Sequence, residues 1–128
     1  MNSLQSTELV SLVVQEIAFT APEGWQKIVY YQEILTGSDG HQRNMATARC
    51  WCGSEMRENH SLQIGGSHEV FESIMALHEH LSKRSQSWQG LLLVVSGDGK
   101  FSSQFFYNST PLLDGNDSEL RKILDSVS

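Results

Sequence analysis

The residues able to do chemistry in this chain are five histidines, two cysteines and a glycine-rich turn carrying a lysine. Cys50 and Cys52 flank Trp51. On a strand, positions i and i+2 point to one face. That spacing matches neither the C-x-x-C redox pattern nor half of a zinc site. The pair reads as two buried free thiols, since unoxidised cysteine is among the most buried residue types. Neither stands at a helix amino terminus, where a reactive thiolate would be favoured.

The histidines are no better arranged. His78 and His80 are two residues apart in a helical stretch, so they diverge by about 200° and cannot share a metal ion. His78 borders an apolar stripe and reads as a core histidine. His80 falls near glutamates and reads as a solvated one. His41, His60 and His68 fall in turns or at an element start. No H-E-x-x-H, second thiolate pair or acidic calcium loop accompanies them. Gly97-Asp98-Gly99-Lys100 has some of the residues of a phosphate loop, but not its spacing, and it leads into a strand. No serine sits in a nucleophile elbow. These residues give no reason to expect an enzyme, a cofactor or a metal.

The elements around them are easier to read. Ser6 or Thr7 can cap a helix to about Phe19, with Leu9, Val10, Val13, Val14 and Ile17 on one stripe. Pro22, Glu23 and Gly24 end it. Trp25–Leu35 is strand-like, rich in β-branched and aromatic residues. Thr36–Gly40 is turn chemistry, so Gln42–Cys52 should pair back antiparallel. In that partner Ala46, Ala48, Cys50 and Cys52 suit a face pressed against a helix, which puts Trp51 on the other face. Gly53–Asn59 reads as a loop and His60–Ile64 as a short third strand. Ser67 caps a second helix to about Arg84, with Val70, Phe71, Ile74, Leu77 and Leu81 along its apolar stripe. Leu91–Val95 and Phe101–Tyr107 form a hairpin across Gly97-Asp98-Gly99. Asn116 and Glu119 resemble a capping box before a last helix, in which Leu120, Ile123, Leu124 and Val127 are apolar.

The expected order is α-β-β-(β)-α-β-β-α. The fold class is α+β, an antiparallel sheet of four to five strands with helices packed on one face. At 128 residues the chain is one domain, residues 1–128. No stretch approaches the roughly 18 apolar residues of a membrane span. The amino-terminal MNSLQSTELVSLVVQEI lacks the early basic residue of a signal peptide, which points to the cytoplasm. The net charge of −6 argues against direct contact with nucleic acid and suits a basic protein partner.

Two surfaces are candidates for protein binding. Glu69, Glu72 and Glu79 form an acidic helix stripe. On the sheet face away from the helices, Trp51 is joined by Tyr31 and Phe106, and Trp25 can be added. Clustered exposed aromatics mark binding surfaces. An aromatic sheet face of this kind would serve a small adaptor or a self-assembling domain.

Several short segments carry a resemblance. Pro22-Glu23-Gly24-Trp25-Gln26-Lys27-Ile28 leads into an aromatic strand, followed by a polar loop and a helix. Trp88 then precedes an apolar strand, Gly97-Asp98-Gly99-Lys100-Phe101 and Phe105-Phe106-Tyr107. Over about Thr7 to Asn108 the chain resembles the YezG-like immunity proteins of bacterial toxin systems, including those of contact-dependent growth inhibition. The resemblance implies a cognate antidote. Such a protein binds the carboxy-terminal domain of a toxin, often a nuclease, inside the producing cell and occludes its active or substrate-binding site. An acidic protein suits the basic substrate cleft of a nuclease.

Overall fold

In a computed structural model, which describes residues 2–59, 67–83 and 88–127, the sheet is built outward from β1 (Trp25–Thr36). Its side chains are buried without interruption from Ile28 to Ile34, as expected of a β-branched and aromatic strand covered on both faces. β2 (Gln42–Cys52) pairs with it antiparallel through the turn at residues 37–41. There Gly37 N–H donates to His41 O at 2.8 Å, and Gly40 takes φ +84°. On its other side β1 pairs antiparallel with β4 (Gly90–Ser96), and β4 with β5 (Phe101–Phe106). Gly99, at φ +90°, makes the β4–β5 turn possible. With β3 (Arg57–Asn59) beyond β2, the strand order is β3-β2-β1-β4-β5.

Two helices, α1 (Asn2–Phe19) and α2 (His68–Ser82), cover one face. Val10, Val13, Val14 and Ile17 from α1 meet Val70, Ile74, Leu77 and Leu81 from α2. Beneath them lie Ile28, Tyr30, Ile34, Leu91, Leu93 and Val95. Ser67 caps α2 as expected, its hydroxyl accepting from Val70 N–H at 3.1 Å. α1 begins earlier than its expected cap at Ser6 or Thr7, and neither glycine nor proline interrupts residues 2–7.

The α+β class, the antiparallel sheet and the order of its main elements are as the sequence predicts. The placement of the last helix is not. A short helix α3 (Pro111–Asp114) and α4 (Asp117–Asp125) lie on the opposite face of the sheet. Leu120, Ile123, Leu124 and Val127 pack there with Val29, Tyr31, Leu92 and Val94. The result is three layers, with the sheet in the middle. The physical reason is that the odd positions of β1 are as apolar as the even ones and need their own cover. Asn116 caps α4, accepting from Glu119 N–H at 3.3 Å.

β3 is a second difference. It forms at Arg57–Asn59, inside the expected loop, because Gly53 (φ +75°) and Met56 (φ +53°) fold the chain straight back onto Cys50–Cys52. The strand expected at His60–Ile64 lies outside the described residues, as does Arg84.

Candidate functional site

The two expected surfaces have different fates. The face carrying Trp51, Tyr31 and Phe106 is not open. Tyr31 is fully buried, Trp51 and Phe106 are half-buried, and α3 and α4 lie across all three. Tyr31 and Phe106 meet edge to face, with ring centroids 6.0 Å apart. Lys27 Nζ stands 5.4 Å from the centre of the Trp51 ring, and Arg49 Nη1 bonds Asp125 Oδ1 at 2.8 Å, tying β2 to α4. Trp25 does not join this face. The register of β1 against β2 shifts between Trp25 and Lys27, a bulge that turns Trp25 to the α1–α2 side.

The carboxylate that secures this cover is Glu33, which has no exposed surface. Its Oε1 accepts from Leu113 N–H at 2.7 Å. Its Oε2 accepts from Leu112 N–H at 2.8 Å and from the Tyr31 hydroxyl at 2.6 Å. The first N–H groups of any helix lack intrahelical partners, and an acid placed there satisfies them. Pro111 begins α3 and has no N–H to satisfy. Burial, together with the adjacent Glu33, holds the Tyr31 phenol far above its ordinary value, so it stays a donor. A buried charge needs partners of this kind.

The acidic stripe is exposed. Glu69, Glu72 and Glu79 all lie on the solvent side of α2. His68 Nε2 contacts Glu72, and Lys83 Nζ lies 3.5 Å from Glu79. Glu69, in the first turn of the helix, faces a groove where the end of α1 meets the start of α2. Glu16, Phe19, Thr20, Ser67 and Glu69 line it. Phe19 is 90% exposed. Phe71, expected on the apolar stripe, is also exposed, while Ser73 and His78 are buried in its stead. Phe19 and Glu16 had a signal in the sequence: an aromatic residue ending a helix off its apolar stripe, one turn from an acid.

Cys50, Cys52 and His78 pack into the core, whereas His41 and His68 are exposed. Cys50 is buried and Cys52 half-buried on the α1–α2 face, with Sγ atoms 3.9 Å apart. Burial, and then the neighbouring Cys52, push the Cys50 thiol up to about 12. His78 is buried. Its Nε2 lies 3.0 Å from Trp88 O, and its ring meets the Trp88 indole edge to face at 4.9 Å. Burial lowers its basicity, opposed by the bond to Trp88 O. His80 departs from expectation: it is half-buried, and its shielded Nε2 has no hydrogen-bond partner among the described residues. Among those residues, no three His, Cys, Asp or Glu side chains are grouped to hold a metal ion, and no helix is long and apolar enough to cross a membrane.

No protein-family model and no curated protein matches the chain.

Proposed function

We propose that this chain is an immunity protein that binds the carboxy-terminal domain of a cognate toxin, a basic nuclease, in the cytoplasm of the producing cell and occludes its active or substrate-binding site. The observation that carries the reading is the α1–α2 surface. There an exposed aromatic, Phe19, stands beside Glu16 and Glu69, and the helix continues with Glu72 and Glu79. Aromatic residues are enriched at the centres of protein interfaces, and charged residues belong to their solvent-accessible rims. The charge of −6 adds long-range attraction for a basic partner. Several residues that carry the resemblance to immunity proteins serve the scaffold, among them the buried Ile28, the Gly99 turn and the buried Trp88. That leaves the helical surface free to specify the partner.

The alternative, an adaptor acting through the aromatic sheet face, has less support, because α3 and α4 pack over Tyr31 and partly cover Trp51 and Phe106. The test is stopped-flow association with the toxin domain encoded beside this chain. Reversing Glu69, Glu72 and Glu79 together to Lys is expected to slow association at low salt at least tenfold, and the difference is expected to shrink as salt rises. An unchanged rate would remove the stripe from the interface. Phe19→Ala is expected to raise the dissociation rate, at a cost of about 1.5–3 kcal/mol.

A further inference from the structure

The two edges of the sheet are protected very differently. β3 is three residues long and carries Arg57 and Glu58, the short charged form that discourages edge pairing. β5, Phe101–Phe106, reads FSSQFF. It has no charge and no proline, and its register against β4 runs without a bulge. Phe101, Ser102, Ser103 and Gln104 are all exposed.

The hydrogen-bond phase of β5 follows from its neighbours. Ser96 N–H donates to Lys100 O at 2.8 Å across the turn. In an antiparallel ladder bonded and non-bonded pairs alternate. The even positions of β5 therefore bond to β4, and Phe101, Ser103 and Phe105 turn their N–H and C=O groups to the outer edge, which no strand among the described residues pairs. The bond from Ile34 N–H to Gln89 O, on the other side of β4, has the complementary phase.

The sequence is nearly symmetric about Ser103, with Phe101 and Phe105 at the ends and Ser102 and Gln104 between. We infer that β5 is a homodimer interface, in which two copies pair antiparallel across a twofold axis at Ser103 and join their sheets into one of ten strands. An isologous contact needs a self-complementary patch. This register sets Phe101 against Phe105 of the second copy in both halves, and Ser102 against Gln104. Its bonded pairs are Phe101/Phe105, Ser103/Ser103 and Phe105/Phe101, about six backbone hydrogen bonds. The aromatic pairs stand on one face, where such pairs add most to a sheet. Phe101 is 37% exposed in the single chain and gains cover. The charges nearest the axis, Lys100 of each copy, end up roughly 20 Å apart, beyond the screening length of about 8 Å at physiological salt. A second copy is the occupant that fits. Charged or proline-bearing strands would lose pairs that this strand offers itself.

The full chain is tested alone by sedimentation equilibrium, from low micromolar to millimolar concentration. The expected result is a reversible species of twice the 14.4 kDa chain mass. The dimer fraction is expected to rise with salt, because the two copies carry −6 each. Ser103→Pro removes an N–H that points outward, and Ser103→Lys sets two like charges face to face. Both are expected to give monomers with an unchanged circular dichroism spectrum. Ser103→Cys is expected to link two chains under glutathione disulfide, two thiols giving one disulfide and two reduced glutathiones, because bonded pairs hold Cα atoms about 5.5 Å apart. The native chain, whose own thiols are Cys50 and Cys52, is expected not to link. A monomer at millimolar concentration overturns the proposal. So does a dimer that survives both Ser103→Pro and Ser103→Lys.

Discussion

Glu33 is the side chain whose removal should reveal most about how this domain closes. Its two oxygens accept three hydrogen bonds, two from the first free N–H groups of α3 and one from Tyr31. Glu33→Gln keeps the shape, but replaces one acceptor oxygen with an amide NH2 that faces a donor. It also makes the remaining bonds neutral. Each charge-assisted bond contributes about 1.5–3 kcal/mol, and a stranded buried donor costs about 1–3 kcal/mol. A net loss of about 2–4 kcal/mol is expected. For a domain of this length that lowers Tm by roughly 8–16 °C. Tyr31→Phe removes a single donor and should cost less. Glu33→Leu strands all three donors and should cost more. The assay is thermal unfolding, combined with amide hydrogen exchange at Leu112 and Leu113, whose protection should fall first. A Tm change under about 2 °C for Glu33→Gln, with protection at Leu112 and Leu113 retained, would refute the reasoning.

Three further outcomes follow from the packing. Leu124 is the buried residue of α4, and Leu124→Ala is expected to cost about 2–4 kcal/mol. A red shift in tryptophan emission should accompany it as Trp51 loses cover. The Cys50 thiol is buried and held protonated, so in the native protein at pH 8 a thiol reagent should label Cys52 much faster than Cys50. Mass spectrometry of the alkylated protein reads this, and equal rates would contradict it. Burial keeps the His78 imidazole less basic in the folded protein than in the unfolded chain. The unfolded chain then binds the proton more readily, so the His78 contribution to stability is full above about pH 6.5 and is lost as pH falls below it. Urea unfolding of His78→Gln should show a shallower decline from about pH 6.5 to 5 than the native chain. Identical slopes would remove His78 from the acid response.

Much of this architecture could be read from local chemistry. Both hairpins announce themselves through turns whose glycines take positive φ, and the two-residue period correctly put Cys50 and Cys52 on one face of β2 and Trp51 on the other. Helix caps at Ser67 and Asn116 were visible as single polar residues before apolar periodicity. The side of the sheet that α4 takes was not visible. An apolar stripe says that a helix must be buried, but not against which face. For the same reason Trp51, Tyr31 and Phe106 looked like an open surface when they are a floor. Glu33 did leave a trace: an acid in a strand buried on both faces requires donors, and Pro111 marks a helix start whose next N–H groups are free. Joining the two needs a contact across about 80 residues, which periodicity cannot supply. Phe71 differs again: it borders the apolar stripe of α2, and whether such a border residue is covered depends on how α1 and α2 pack, which the stripe does not record.

The most direct measurement of the functional reading is genetic. The reading frame beside this chain is expressed alone and together with it, and surviving cells are counted. Expected are loss of viability from the neighbour alone and full rescue by co-expression. Rescue should weaken when Phe19→Ala is combined with reversal of Glu69, Glu72 and Glu79. A harmless neighbour, or a lethal one that this chain does not restrain, would contradict the immunity reading.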